Sequence, residues 1–276
     1  MALALSVSAC SPPQSNAGTG SRTPGTAQER VARLIELWTP LPKTVTSDIS
    51  DKRFIDARAL EAELSAAGAE VGREALARLR QDQGVRYPQD VERALLSVAA
   101  KAAPEDARAL LENLVTQYGT DLGLRTEATL LLSEVHPARA LELLEPYVRR
   151  TRQSQTLPPA EFLVRAWVTA CEKTHTSPVP ALADVATNLF MEEAARTRAI
   201  KELGNHPDDA LAVKAVSAIV IESTGDGYLR RMAVQSLVRM LPRETACSLI
   251  KSVGDKEADT NMLVFLKDVL DKNCSR

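Results

Sequence analysis

The sequence predicts an all-α protein, an α-solenoid of about six antiparallel helix pairs with one capping helix at each end. Two observations predict this fold class. The aromatic share is only 4%, whereas Ala, Leu, Glu and Arg, which favour helices, are abundant. Short segments that end in proline also recur with a period of roughly 34 residues, which is typical of helical repeat arrays.

Composition limits the classes of function. The chain has 276 residues, of which 45% are hydrophobic and 25% charged, so most of it should fold. Its net charge of −2 lacks the basic excess of a general nucleic-acid binder, and we expect no nucleic-acid partner. It contains no apolar run of about 18 residues, the length that predicts a membrane-spanning helix.

The first ten residues, MALALSVSAC, are apolar or small and end in a cysteine. The segment VSAC resembles a bacterial lipobox, which implies that Cys10 carries a lipid and anchors the protein at the periplasmic side of a bacterial membrane. No Lys or Arg precedes Cys10, so we expect residues 1–10 to be a truncated signal. Residues 11–26 are rich in Ser, Pro, Gly and Thr and should form a disordered tether. The alternative is an accidental match in a cytoplasmic protein.

The first ordered element is expected to start after Thr26. Thr26 and Glu29 have the spacing of a capping box, and apolar residues then recur at helical intervals up to Trp38. Pro40 ends this pattern. Residues 27–50 are therefore predicted to form an entry helix and a linker.

Residues 51–276 are predicted to form the repeat array and a final cap helix. In each unit a first helix ends at a break, and a second helix with an apolar stripe follows. Proline suits the break, because the first position of a helix needs no N–H donor and proline already has the helical φ. One pair cannot bury its stripe alone, so neighbouring pairs must stack. The breaks are predicted at Gly68, Pro104, Pro137, Pro178, Pro207 and Pro242.

Two segments, TRAIKELGNHPDDALAVKAVSAIV and LRRMAVQSLVRMLPRETACSLIKSV, resemble short HEAT repeats. Both contain an Arg with an Ala three residues later, then a turn with Pro and a Leu/Val-rich second helix. Tetratricopeptide arrays share the period, but the small and aromatic positions that they require are not consistently filled here. The resemblance implies second helices along a concave face that holds a protein or peptide. The Arg–Ala pairs are Arg125–Ala128, Arg196–Ala199 and Arg230–Ala233.

These three arginines occupy equivalent repeat positions, and two hypotheses follow. Arg125, Arg196 and Arg230 could form salt bridges between neighbouring repeats, which is the structural interpretation. They could instead form a basic line across one face that binds an acidic partner. The sequence does not decide between the two.

The three histidines are predicted to be structural. His136 and His206 precede repeat prolines, where the negative end of a helix favours them. One class of HEAT-repeat enzymes binds two irons through His-Glu dipeptides, but here Pro or Thr follows His136, His175 and His206. No other catalytic motif occurs either. The sequence therefore predicts no catalytic residue, no metal site, no cofactor and a protein that is not an enzyme.

The three cysteines after Cys10 have different predicted roles. Cys171 lies within an apolar helix and is expected to be a small core residue. Cys247 lies in the last second helix and Cys274 beyond the cap helix. In an oxidising compartment these two could pair, and otherwise they are free thiols.

Together these patterns predict a non-catalytic scaffold for protein–protein interaction, a lipid-anchored monomer whose partner is an unknown protein or peptide. The residues that bind the partner are not identified by the sequence. The alternatives are a cytoplasmic HEAT-repeat scaffold and, from the enzyme class, a HEAT-fold enzyme such as a lyase.

Overall fold

The computed structural model describes residues 25–39, 52–81, 87–117, 121–148, 160–221 and 227–274. Every regular element in these ranges is an α-helix, which confirms the predicted all-α class. None of these helices combines the length and the apolar character needed to cross a bilayer. The helices are α1 (Ala27–Trp38), α2 (Lys52–Ser65), α3 (Ala69–Gln81), α4 (Gln89–Ala102), α5 (Pro104–Thr116), α6 (Leu122–Val135), α7 (Pro137–Val148), α8 (Ala160–Thr174), α9 (Val179–Thr187), α10 (Glu193–Leu203), α11 (Ala210–Ile221), α12 (Gly227–Met240), α13 (Arg243–Gly254) and α14 (Thr260–Cys274).

Six of the breaks between helices fall where the sequence predicts them. Proline opens α5 and α7, caps α9 and α13, and lies in the turn before α11. Gly68, between α2 and α3, has a φ of +99°, a conformation that residues with a side chain rarely adopt. The array therefore consists of the six helix pairs α2–α3, α4–α5, α6–α7, α8–α9, α10–α11 and α12–α13, with α1 before them and α14 after them.

Helix α1 begins with the predicted capping box. The Thr26 hydroxyl accepts a hydrogen bond from the Glu29 N–H at 3.2 Å, and the Thr26 N–H donates to the Glu29 carboxylate at 2.8 Å. At its other end, the Trp38 ring packs edge-on against Phe54 of α2 at 5.6 Å. The signal ending at Cys10, residues 11–24 of the tether and residues 40–51 of the linker lie outside the described residues.

The helices form two rows. The first helices α2, α4, α6, α8, α10, α12 and α14 each contact the next one along the array, so their row is continuous. The second helices are less continuous, with an extensive contact at α9–α11 and a small one at α3–α5. Each second helix packs more extensively on the first helix of the next unit than on its own partner. The helix pairs defined by the sequence, such as α2–α3, are thus less closely packed than the pairs across a unit boundary, such as α3–α4.

Close approach at one junction depends on glycine. A Cβ atom added to Gly72 of α3 would lie 2.6 Å from the Cβ of Ala103, at the break between α4 and α5. This distance is shorter than side-chain atoms tolerate without movement. The absence of a side chain at Gly72 allows α3 to pack directly on the turn of the next unit.

The end of the array is cross-linked. Cys247 of α13 and Cys274 at the end of α14 form a disulfide with a Cα–Cα distance of 6.0 Å. Of the two alternatives that the sequence left open for these cysteines, the structure shows the disulfide and not two free thiols. Cys171 is free and buried, as predicted, and its burial raises the pKa of its thiol.

Candidate binding surface on the first helices

The three repeat arginines lie inside the protein. Arg125, Arg196 and Arg230 are 1%, 8% and 3% exposed, and each is the fourth residue of its helix. Arg125 donates to the carbonyl of Gln117 at 2.5 Å, just after α5. The other two donate to carbonyls in the last turns of α9 and α11, at 3.1 and 3.3 Å. Each arginine thus caps the negative end of the preceding second helix.

This burial favours the structural hypothesis over a basic line on the surface. Arg230 also forms an ion pair, since it lies 2.5 Å from Glu257, and both side chains are 3% exposed. The hydrogen bond from Arg230 lowers the pKa of Glu257, and backbone N–H groups after Glu257 act in the same direction. An acidic partner cannot reach these arginines without opening the array.

A fourth cap was missed by the sequence analysis. Arg53 donates to the carbonyl of Leu37 at 3.0 Å and to that of Thr39 at 2.8 Å, at the end of α1. Arg53 is the second residue of its helix, and Asp56 rather than Ala follows three residues later. Arg53 therefore does not match the Arg–Ala pattern, although it also caps the end of the preceding helix.

The histidines lie at separate turns. His136 caps the end of α6, and its Nε2 donates to the carbonyl of Pro104 in the preceding unit at 2.8 Å. His175 follows α8 with a φ of 56°, and His206 lies in the turn before α11. Over the ranges that the structure describes, no three His, Cys, Asp or Glu side chains form a group suited to a metal ion.

The face of the first helices has an open groove between α10 and α12, with a volume of about 500 Å³. The residues from each helix are spaced three, four and seven apart, so they form one face of that helix. Met232 and Gln235 lie near the middle of the α12 wall. The lining residues are Arg198, Lys201 and Glu202 from α10, Asn205 from the turn after it, and Met232, Gln235 and Arg239 from α12.

The charges in this groove do not balance. The one carboxylate of the lining, Glu202, accepts a hydrogen bond from Asn205 at 3.1 Å and pairs with Arg198 at 2.7 Å. Lys201 and Arg239 form no ion pair with any residue that the structure describes. Two exposed cations therefore remain available to a ligand.

A smaller cavity of about 70 Å³ lies near the start of the array, and its two arginines face three carboxylates. Here Arg58 pairs with Glu61 at 3.3 Å and also lies 4.9 Å above the Trp38 ring. Burial nevertheless raises the pKa of Glu61, against the effect of Arg58. The cations of this cavity already have partners, which distinguishes it from the groove. Its lining is Trp38, Arg58, Glu61, Asp90, Arg93, Ala94 and Glu127.

No family model and no curated protein matches this sequence. Among solved structures, the chain is similar to human deoxyhypusine hydroxylase, solved in complex with glycerol. The sequence identity is 13%, the match covers 89% of this chain and 96% of the other, and the TM-score is 0.37. The other chain is an enzyme by its name, so the prediction that this chain is not an enzyme is corrected. A likeness of this degree assigns no activity to this chain.

Proposed function

We propose that this chain is a scaffold of HEAT-like repeats that holds a polypeptide partner on the face of its first helices. We further propose that a lipid on Cys10 tethers it to the periplasmic side of a bacterial membrane. The observation that carries the binding role is the groove between α10 and α12.

The groove supports binding for two reasons. It lies on the continuous row of first helices, and stacked repeats provide the long surfaces that such proteins use to hold partners. Its volume of about 500 Å³ is within the usual range of ligand sites, and exposed polar side chains line it. The resemblance to HEAT repeats placed the partner on the second helices. We propose the first helices instead, since their row is the more continuous one.

The proposed compartment is supported by the disulfide. Cys247 and Cys274 are paired, and disulfides persist mainly outside the reducing cytosol. A tether of the length of residues 11–26 has a mean reach of about 20 Å, which would leave the array free to meet a partner near the membrane.

The lipid anchor can be tested by metabolic labelling. Bacteria that produce this chain would be grown with a radioactive fatty acid, and the protein would be compared with its Cys10→Ala variant. We expect label on the first and none on the second. Equal labelling, or no label on either, would refute the anchor without bearing on the groove.

The binding face can be tested by photo-cross-linking in the same cells. A benzoyl-phenylalanine would replace Gln235 in the groove, and in a matched control it would replace Lys214, an exposed residue of the second helix α11. We expect a discrete protein adduct from position 235 alone. An adduct from position 214 alone would place the partner on the second helices and refute the proposed face. If neither position gives a discrete adduct, the proposal that the chain holds a protein partner is refuted.

A further inference from the structure

Three units can be compared at the same position, the third residue before the proline of the break. In α4 and α6 this residue is Lys101 and Glu134, which form an ion pair at 3.6 Å between the two first helices. In α12 it is Arg239. The break after α10 is built differently, because α10 ends at Leu203 and Gly204 lies in the turn that follows it. A Cβ atom at Gly204 would lie 3.2 Å from a guanidinium nitrogen of Arg239.

The comparison shows what differs in the groove. Lys101 of α4 faces the carboxylate of Glu134 in α6, whereas Arg239 of α12 lies against Gly204, in the turn after α10. Lys201 adds a second cation from α10. Arg239 thus occupies the position that Lys101 has in α4, but unlike Lys101 it forms no ion pair with a residue that the structure describes.

We infer that the groove between α10 and α12 binds an acidic segment of a polypeptide, with Lys201 and Arg239 contacting its carboxylates. This inference rests on the proposed function and names the chemistry of the partner. Gln235 can donate to the same segment, and Met232 offers an apolar contact for the methylene groups of a glutamate side chain.

The same residues argue against a nucleic acid. The lining contains no aromatic side chain on which a base could stack. The whole chain has a net charge of −2, so the long-range field does not attract a polyanion. A short acidic segment needs only the local excess of positive charge in the groove.

The inference can be tested by fluorescence anisotropy on the full chain. The probe is a fluorescein-labelled peptide of alternating Glu and Ala, and the matched probe has Lys in place of Glu. The test variant is Lys201→Gln with Arg239→Gln. The control is Lys101→Gln with Lys214→Gln, which removes the same charge outside the groove, and melting temperatures establish that both variants fold.

We expect saturable binding of the Glu peptide that weakens with salt, and none of the Lys peptide. The affinity should fall about tenfold or more in the test variant and less than about twofold in the control, because close charge pairs act locally. No binding of the Glu peptide, or equal losses in both variants, would overturn the inference. If one of these two results is obtained while position 235 still gives a cross-link to a protein in cells, the proposed binding face stands and only the acidic nature of the partner is rejected.

Discussion

The disulfide at the end of the array gives a prediction whose size follows from the structure. Replacing both Cys247 and Cys274 by serine removes a cross-link between residues that are 27 apart in sequence. In the chain-entropy model, closing a loop of that length stabilises the folded state by about 3.5 kcal/mol. We expect the double variant to lose up to this amount.

The loss should be confined to the end of the array. Helix α14 packs on α12 and α13, and its buried residues are Met262, Leu266 and Val269. Because each unit of an array contacts only its neighbours, an end helix can detach while the rest stays folded. Reduction should therefore release α14 rather than unfold the protein.

Native-state hydrogen exchange with and without a thiol reductant measures this effect. About 3.5 kcal/mol corresponds to roughly 300-fold faster exchange of the α14 amides, since each 1.4 kcal/mol is a factor of about ten. The amides of α6 and α8 should be unchanged, and reductant should have no further effect on the double variant. If α14 exchanges at the same rate with the bond reduced, the argument from loop entropy is wrong for this protein.

Three further changes probe packing and charge. Arg125→Gln leaves the carbonyl of Gln117 uncapped and should lower the free energy of unfolding by about 2 kcal/mol. Arg139→Gln, on the surface, should have little effect in the same denaturant titration. Gly72→Ala should cost about 1–3 kcal/mol in that titration, because the added methyl forces two units apart. The lowered pKa of Glu257 stabilises the fold above the ordinary carboxyl pKa of about 4.3 and the effect is lost as the pH falls through the lowered value. Melting temperatures across that range should therefore fall less steeply in Glu257→Gln, and parallel curves would show that the pair with Arg230 does not carry this dependence.

The helical array could be predicted because its signals are local and repeated. Proline marks a helix start for a reason that holds at every unit, and six breaks fall as expected. The role of the arginines could not be predicted, because a fixed spacing does not tell which atoms a side chain reaches. Arg53 illustrates the limit, since it caps α1 from a different position of its helix. The pairing of Cys247 with Cys274 likewise depends on how α14 folds back.

The groove could not be predicted because its residues break the repeat. A search for periodic patterns selects Arg196 and Arg230, which are buried, and passes over Lys201 and Arg239, which are exposed. The exclusion of enzymes failed for another reason. It rested on motifs that were not found, and the absence of a known motif does not exclude catalysis.

The position of Gly204 allows a direct test of the idea that function lies outside the repeat. Its φ of −59° is ordinary for any residue. A Cβ atom there would lie 3.1 Å from the Lys201 carbonyl oxygen and from the Ser236 Oγ, and 3.2 Å from Arg239, so these neighbours must move by a few tenths of an ångström. Gly204→Glu would place a carboxylate beside Arg239, and we expect it to pair with Arg239 and to weaken binding of the Glu peptide about tenfold. Gly204→Gln fills the same space without charge and should weaken binding much less. If both variants lose the same affinity for the Glu peptide, the groove recognises the shape of the peptide, and the charge of Arg239 does not bind it.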